Sequence, residues 1–293
     1  MRILKKSVFV SIILTLSMTL QPALAATSPG LNMANTFAIL ASTYTNTAGG
    51  TTIDGDVGYS TPPAVAPTIN GTTHVDDSTY DQAGLDQGTA LVDLNNQVCT
   101  FNFAPGAIDL ASDVTHGPVG VYTPGVYCIT GAASIGGGGT ITLTGTGTYI
   151  FRMDGALTTT ANSIVQVADG ASPCSIWWTP TAATTLGADS TFIGTDIDAS
   201  GITIGNNVTW TGRALAFGGT ISTDADTIAA PVCSALGYDE EGNPIEPAPV
   251  PGLPRTDVGL SQEKSFLGWS IPVAILVGLS TIYLIQRKSK SII

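Results

Sequence analysis

The stretch Thr191–Gly194 (TFIG) recurs eighteen residues later as Thr209–Gly212 (TWTG), and Thr227–Ile228 follows after the same interval. Far upstream, Thr52–Gly55 (TIDG) repeats the pattern. A fixed short period in a chain rich in glycine and threonine is typical of a β-solenoid, in which each repeat forms one coil. Because stacked coils place equivalent side chains about 4.7–4.8 Å apart, the sequence predicts a straight column of threonines.

Short segments elsewhere alternate between hydroxyl and apolar residues, as in Thr140–Thr144 (TITLT) and Ile202–Ile204 (ITI). Such alternation is typical of strands with apolar side chains inside and hydroxyl groups outside. Glycines separate the segments, as corners between the sides of a coil require. Trp177 and Trp178 are adjacent, so only one can point inward, and the other is expected to be exposed. A sandwich of antiparallel strands has a similar composition but predicts no fixed register, so the pattern favours an all-β solenoid.

A single helix is predicted, over about residues 78–97. Apolar residues recur there at spacings of three and four, and Asp77 or Ser78 can cap the first turn. Gly84 and Gly88 lower the intrinsic helicity of this segment. We therefore expect the helix to need a supporting surface and to pack along one flank of the solenoid.

Alternation also predicts which side chains face solvent. Phe192 and Trp210 should point into the coil, so the threonine before each of them points outward. A second side of the coils should expose Thr185, Thr203 and Ser222, with the third of these coils slipped by one residue relative to the others.

Both ends of the chain differ from its body. Residues 1–25 have a basic start, an apolar run and the small-residue cleavage site Ala23–Ala25, which is typical of a secretory signal peptide. An N-terminal membrane anchor is the weaker alternative because the apolar run is short. Residues 266–285 form an apolar stretch long enough to cross a bilayer as a helix. The basic tail, residues 286–293, is then cytoplasmic by the positive-inside rule.

The body, residues 26–233, is joined to this predicted span by a proline-rich stalk over residues 234–265. The chain has 10 Lys and Arg residues against 22 Asp and Glu residues. Only Arg152 and Arg213 fall within the body, which has no lysine. So acidic a surface argues against nucleic acid or anionic lipid as a partner.

The four cysteines are expected to form disulfides, because the chain carries an export signal. Three pairings are possible; Cys99–Cys128 with Cys174–Cys233 is favoured, although the spacing leaves the other two open. A zinc site is disfavoured, since there is no CxxC pair and the chain has only two histidines. We predict neither a metal nor a cofactor.

Four further motifs stand in order along the body: Thr51–Gly58 (TTIDGDVG), Cys174–Trp178 (CSIWW), Gly212–Ala216 (GRALA) and Pro231–Cys233 (PVC). Together they resemble the microbial ice-binding protein family built on a discontinuous β-solenoid, over about residues 34–233. The resemblance implies a right-handed, roughly triangular solenoid with one long helix packed alongside. It also implies that the N-terminal coil docks beside the C-terminal coils.

In that family a flat face carrying Thr and Asn binds ice. The resemblance implies that the ice-binding positions here are Thr52, Thr191, Asn206, Thr209 and Thr227. The outward Thr185, Thr203 and Ser222 of the second side are a secondary candidate set. Where the neighbouring coils match Asn206 they carry Ala188 and Asp224, and Asp226 and Asp189 lie close by. Charged groups bind water tightly, so these aspartates are expected to weaken a surface that orders water.

The C-terminal region resembles a second signal. Leu253, Pro254, Arg255 and Thr256, followed by the apolar span and the basic tail, are similar to a cell-wall sorting signal that a sortase cuts. Asp257 stands where that signal has glycine, so a plain membrane anchor is the alternative to attachment by a sortase. Both imply an exported protein held at the outer face of the cell membrane or wall.

The first hypothesis for function is therefore a non-catalytic protein that binds ice at the cell surface. A structural or adhesive surface solenoid without ice activity is the second. The third is a solenoid enzyme acting on polysaccharides, because paired carboxylates can serve as acid and base. Aspartate is also a common turn residue, so the pairs favour turns over catalysis. The pairs are Asp54/Asp56, Asp196/Asp198 and Asp224/Asp226.

Overall fold

The computed structural model of the protein describes residues 25–233, and these form a parallel β-solenoid with one helix. The predicted stalk, membrane span and basic tail, and the predicted signal peptide up to residue 24, lie outside the described residues. Within residues 25–233, no helix is both long and apolar enough to cross a membrane.

Along the described residues the helix α1 spans Ser78–Asn95, and two short 3-10 helices span Asn32–Thr36 and Pro173–Ser175. The strands are β1 (Phe37–Asn46), β2 (Thr52–Asp54), β3 (Asp56–Tyr59), β4 (Thr68–Asn70), β5 (Thr73–Val75), β6 (Phe101–Asn102), β7 (Ile108–Asp109), β8 (Val121–Tyr122), β9 (Gly125–Ile129), β10 (Ala133–Ile135), β11 (Thr140–Thr144), β12 (Tyr149–Thr159), β13 (Ile164–Ala168), β14 (Ile176–Leu186), β15 (Thr191–Ile197), β16 (Ile202–Ile204), β17 (Thr209–Thr223) and β18 (Thr227–Ala229).

Parallel ladders join these strands into three sides. The first hydroxyl face consists of β2, β4, β8, β11, β13, β18 and the starts of β15 and β17. The second hydroxyl face consists of β7, β10, β16 and the ends of β1, β12, β14 and β17. The remaining strands and segments form the third side, the helix-covered face.

The register confirms the eighteen-residue repeat. Thr191 lies opposite Thr209, and Thr209 lies opposite Thr227. On the second hydroxyl face Thr203 pairs with Ser222. That interval is one residue longer than the repeat, so the slip predicted there is also confirmed.

The chain does not stack its coils in sequence order. Thr227 of β18 pairs with Thr52 of β2, and β1 lies between β17 and β3. The N-terminal coil therefore docks on the C-terminal coils, as the resemblance implied.

The helix begins where the sequence predicted and ends two residues earlier, at Asn95. The carboxylate of Asp77 accepts the Tyr80 N–H at 2.8 Å and caps the first turn. A Cβ on Gly84 would lie 2.5 Å from the ring of Phe217. Glycine at this position therefore lets the helix approach the solenoid closely.

Two apolar clusters lie on opposite sides of the helix-covered sheet. The larger cluster fills the solenoid and includes Trp178, and the smaller one lies under α1 and includes Trp177. The prediction that one of these indoles is exposed is wrong, because Trp177 is 2 % exposed and Trp178 is fully buried. The indole of Trp177, which points away from the solenoid interior, is covered by the smaller apolar cluster under α1.

The disulfides are Cys99–Cys128 and Cys174–Cys233, the favoured pairing. The two arginines of the body lie beside them. Arg152 donates from Nη1 to the carbonyls of Asn95 and Gln97 at the C-terminal end of α1, which stabilises that end of the helix. The side chain of Arg213 is buried and donates to the carbonyl oxygens of Asn35 and Pro231, which lie near the two ends of the described sequence.

Candidate functional site

The first hydroxyl face carries one long column of outward side chains. In stacking order the column is Thr140, Ile164, Thr191, Thr209, Thr227, Thr52 and Thr68. Each is exposed or half-buried. The structure thus brings together four of the predicted residues, and it adds Thr68 and Thr140. Thr68 had a detectable signal, since Thr68–Gly71 (TING) repeats the phrase of Thr52–Gly55 (TIDG).

The neighbouring column on this face is chemically mixed. Its members are Thr142, Gln166, Ile193, Thr211, Ala229, Asp54 and Asn70. The exposed Asp54 carboxylate accepts the Asn70 Nδ2–H at 2.6 Å. This face therefore presents hydroxyl, amide, aliphatic and carboxylate groups side by side.

Asn206 lies at the corner that leads from the second hydroxyl face to the first, and not on a strand. Its side chain is exposed and its Nδ2 donates to the carbonyl of Asp224 at 3.2 Å. The next residue, Asn207, adopts a left-handed conformation with φ 60°, and equivalent corners place Asp189 and Ala225 at φ 57° and 59°. Asn207 also donates to Asp189 at 2.8 Å. Amide and carboxylate groups here hold the corner together.

Asp226 does not disturb the face, contrary to expectation. It immediately precedes Thr227, so strand alternation turns its side chain inward, where it is fully buried. Its carboxylate accepts the N–H groups of Val208 at 2.8 Å and Asp224 at 2.7 Å. Burial raises the pKa of Asp226 to about 6.

The second hydroxyl face carries an uninterrupted column. Its members in stacking order are Ser134, Thr158, Thr185, Thr203, Ser222 and Thr45. Beside it, Ala156 pairs with Ala182, and Thr220 pairs with Thr43. The paired positions of this face therefore carry small hydroxyl and methyl groups along these coils. A charged residue follows at one end of the column, where Asp109 pairs with Ser134.

The carboxylate pairs do not form an accessible acid–base site. Asp196 is fully buried and Asp198 is 1 % exposed. Burial raises the pKa of both groups, and the Asp198 charge raises that of Asp196 further. The carboxylate of Asp198 accepts the N–H groups of Thr184 and Ser200, both at 2.8 Å. Asp196 and Asp198 are therefore too deeply buried for a polysaccharide to reach their carboxylates.

The remaining pairs also bind backbone or neighbouring side chains. Asp54 accepts from Asn70, and Asp56 accepts the Thr72 N–H at 2.7 Å. Within residues 25–233, no group of three or more His, Cys, Asp or Glu side chains is placed to hold a metal ion. Among the described residues, the two hydroxyl faces are the regular strand surfaces that remain exposed.

Comparison with known proteins places this geometry in a family. The family model described as ice-binding-like matches residues 39–229, which covers most of the solenoid. The chain belongs to the ice-binding-like family. This family acts by binding and is non-catalytic. The three-sided solenoid and its hydroxyl faces are therefore features of a binding protein.

Individual relatives agree with this assignment. An ice-binding protein of Nostoc sp. (strain HG1) is 28 % identical over 242 residues, which are 78 % of this chain and 84 % of that protein. An ice-binding protein of Flammulina populicola is 28 % identical over 250 residues, which are 78 % of this chain and 98 % of that protein.

Two solved structures share the fold. The ice-binding protein of the Antarctic ascomycete Antarctomyces psychrotrophicus superposes with a TM-score of 0.61 at 25 % identity, covering 71 % of this chain and all of the other. An ice-binding protein from an Antarctic biological consortium superposes with a TM-score of 0.61 at 29 % identity, covering 70 % and 92 %.

Proposed function

We propose that this protein binds ice through a flat hydroxyl face of its solenoid, without catalysis. The parallel ladders space equivalent side chains about 4.7–4.8 Å apart along each face. Regular rows of hydroxyl and methyl groups on a rigid sheet can order surface water into a layer that merges with a crystal. The ice-binding relatives and family support this function.

The second hydroxyl face is the stronger candidate for the contact with ice. The observation that carries this choice is its uninterrupted column of six Ser and Thr residues, from Ser134 to Thr45. The first hydroxyl face has Ile164 within its column and the exposed Asp54 beside it. A carboxylate binds water more tightly than a hydroxyl group does, so it interrupts a lattice-like layer.

A matched pair of substitutions distinguishes the faces. Thr203 and Thr209 are both exposed and occupy the middle of the two columns, so Thr203→Tyr and Thr209→Tyr introduce the same bulk on each face. We expect Thr203→Tyr to reduce incorporation of the protein into a growing ice crystal at least tenfold, and Thr209→Tyr to change it little. Thr89→Tyr on the exposed side of α1 is the control for added bulk.

The remaining results of this experiment assign the other face or contradict ice binding. Loss only with Thr209→Tyr assigns the first hydroxyl face, with Thr52, Thr191, Asn206 and Thr227 beside it, as the site. Full activity of both variants excludes both faces. Exclusion of the unmodified protein from ice, with a stable fold, supports the structural or adhesive hypothesis instead.

We also propose that the solenoid is right-handed and roughly triangular and that the chain is exported and held at the cell surface. The resemblance of residues 253–256 to a sorting signal and the apolar run 266–285 support anchoring by a sortase or in the membrane. Recovery of the protein in the medium, with none in the membrane or wall fraction, contradicts anchoring.

A further inference from the structure

The Cys99–Cys128 disulfide lies in direct contact with a cation. Nη2 of Arg152 donates to Cys99 Sγ at 2.8 Å and to Cys128 Sγ at 3.0 Å. Arg152 and Cys128 are register partners in the ladder between β12 and β9, so their side chains point to the same side of the sheet, toward α1. The ladder therefore places the guanidinium against both sulfur atoms.

The second terminal nitrogen of Arg152 fixes the guanidinium in this position. Nη1 donates to the carbonyls of Asn95 and Gln97, at the end of α1 and just beyond it. Both of these partners are neutral. Within residues 25–233, no ion pair joins Arg152 to a carboxylate. The positive charge is therefore not neutralised there by a carboxylate, and it acts on the two sulfur atoms.

The Cys174–Cys233 disulfide provides a comparison within the same molecule. Nη2 and Nη1 of Arg213 lie 3.7 and 3.8 Å from Cys233 Sγ, so this guanidinium is farther from its sulfur than Arg152 is. Cys174 and Cys233 are both half-buried, whereas Cys128 is 8 % exposed. Solvent access therefore favours reaction at Cys174–Cys233, and the nearby charge favours reaction at Cys99–Cys128.

The charge matters because a disulfide exchanges through an anion. A thiolate attacks one sulfur, and the other sulfur leaves as a thiolate. A neighbouring arginine stabilises a cysteine thiolate relative to the thiol. Cys99 is half-buried and is the more accessible sulfur, so attack falls on Cys99 Sγ and Cys128 Sγ leaves. The departing electron pair then remains on Cys128 Sγ, next to Arg152 Nη2.

We propose that Cys99–Cys128 is a thiol-exchange site, whose substrate class is a dithiol reductant. The first thiolate of the dithiol bonds to Cys99 Sγ as the bond to Cys128 breaks. Its second thiolate then attacks the first, which releases Cys99 as a thiolate and leaves the reductant as a disulfide. Two electrons pass to the protein, and the covalent link between the segment after α1 and strand β9 is opened. The proposal goes beyond ice binding and does not rest on it.

Limited reduction of the folded protein tests the order of reaction. The protein is exposed to dithiothreitol at neutral pH, samples are quenched with acid at intervals, and the new thiols are alkylated and quantified by mass spectrometry. We expect Cys99 and Cys128 to become labelled about tenfold faster than Cys174 and Cys233. Equal rates, or faster reduction of the more accessible Cys174–Cys233 disulfide, overturn the proposal.

Substitution of Arg152 separates charge from structural support. Arg152→Gln removes the charge, and we expect it to slow reduction of Cys99–Cys128 about tenfold while leaving the other disulfide unchanged. A purely structural role predicts the opposite, because loosening the end of α1 would expose the disulfide and speed its reduction. Arg152→Lys keeps the charge and should retain most of the rate.

Thr179→Val is the matched control. Thr179 is the register partner of Arg152 in β14, and its hydroxyl lies 3.4 Å from Asn95 Oδ1 at the end of α1. The substitution removes this contact without changing any charge, so it should not slow the reduction of Cys99–Cys128. An unchanged or faster rate in Arg152→Gln, or equal slowing in Thr179→Val, contradicts the role of the guanidinium.

Discussion

Tyr44 Oη lies 2.9 Å from Thr223 Oγ1, and 179 residues separate the two in the chain. Both side chains are fully buried. Thr223 Oγ1 also lies 2.9 Å from Asn46 Oδ1, which in turn accepts a hydrogen bond from Thr51 Oγ1. A buried polar network thus joins the N-terminal coil to the C-terminal coils.

Removing the Tyr44 hydroxyl should weaken this junction. Tyr44→Phe keeps the ring but leaves a buried hydroxyl group with one partner fewer, so we expect the free energy of unfolding to fall by about 1–2 kcal/mol. Urea unfolding followed by circular dichroism measures the change. The ring of Tyr59 packs beside that of Tyr44 but is only half-buried, so Tyr59→Phe should cost less than about 0.5 kcal/mol. Equal effects of the two variants contradict a specific role for the Tyr44 hydroxyl.

Ala225 has a left-handed backbone with φ 59°. This conformation costs a residue with a Cβ about 1–2 kcal/mol, while glycine gains about 0.4–1 kcal/mol of entropy in the unfolded chain. We therefore expect Ala225→Gly to raise the free energy of unfolding by about 0.5–1 kcal/mol. Ala229→Gly, in strand β18, is the matched control and should lower stability. Destabilisation by both variants is evidence against strain at Ala225.

Stability should fall as the pH rises above 5. Burial raises the pKa of Asp226 from 3.8 to about 6 in the folded protein, so folding favours the protonated form. This contribution is complete below the unfolded pKa of about 4 and is lost as the pH rises through about 6. From Asp226 alone we expect the free energy of unfolding to fall by about 1–2 kcal/mol between pH 5 and pH 8. The raised pKa values of Asp196 and Asp198 act in the same direction.

Urea unfolding at several pH values in this range measures how steeply the free energy of unfolding falls with pH. Asp226→Asn should remove the part of this fall that comes from Asp226. Asp189→Asn, at an exposed corner of the neighbouring coil, should show the same pH dependence of stability as the unmodified protein.

Asp77 accepts hydrogen bonds from the Tyr80 N–H and from His74, and these lower its pKa. Its contribution is therefore lost below about pH 4. A stability maximum near neutral pH is inconsistent with this account.

Arg213 should tolerate lysine poorly. Its guanidinium is buried and donates to the carbonyls of Asn35 and Pro231 at 2.9 and 3.0 Å, and burial lowers its pKa to about 10. A lysine cannot reproduce this fork of donors, so we expect Arg213→Lys to cost about 2–4 kcal/mol in thermal or urea unfolding. Arg152→Lys keeps a cation near the end of α1 at a half-buried site and should cost under about 1 kcal/mol. A larger loss of stability in Arg152→Lys than in Arg213→Lys contradicts the proposed role of burial.

Much of the fold was predictable from the sequence because solenoid coils repeat their chemistry. The eighteen-residue register, the helix and the slip at Ser222 followed from local patterns, whereas the spacing of the cysteines favoured the observed disulfide pairing but left two other pairings open. The position of Thr52 beside Thr227 required the family resemblance, since no local interaction indicates that the N-terminal coil inserts after the last one.

Two predictions failed, one because a strand was treated as having a single buried side and the other because strand alternation was not applied. Trp177 points away from the solenoid interior but is covered by the second layer under α1. Asp226 was expected near the face, yet the residue before an outward threonine points inward. The choice between the hydroxyl faces could not be made from one column of threonines, because it depends on the neighbouring columns that the register brings together.

The position of β1 between β17 and β3 constrains the order of folding. A chain is synthesised from its N-terminus, so β1 emerges long before β17, its principal partner. Contacts so distant along the chain form late and slow folding. Until residues 209–223 have been synthesised, β1 exposes unpaired strand edges on which another chain can assemble. The same insertion that joins the two ends of the finished solenoid therefore leaves the incomplete chain open to assembly with other chains until its last coils are made.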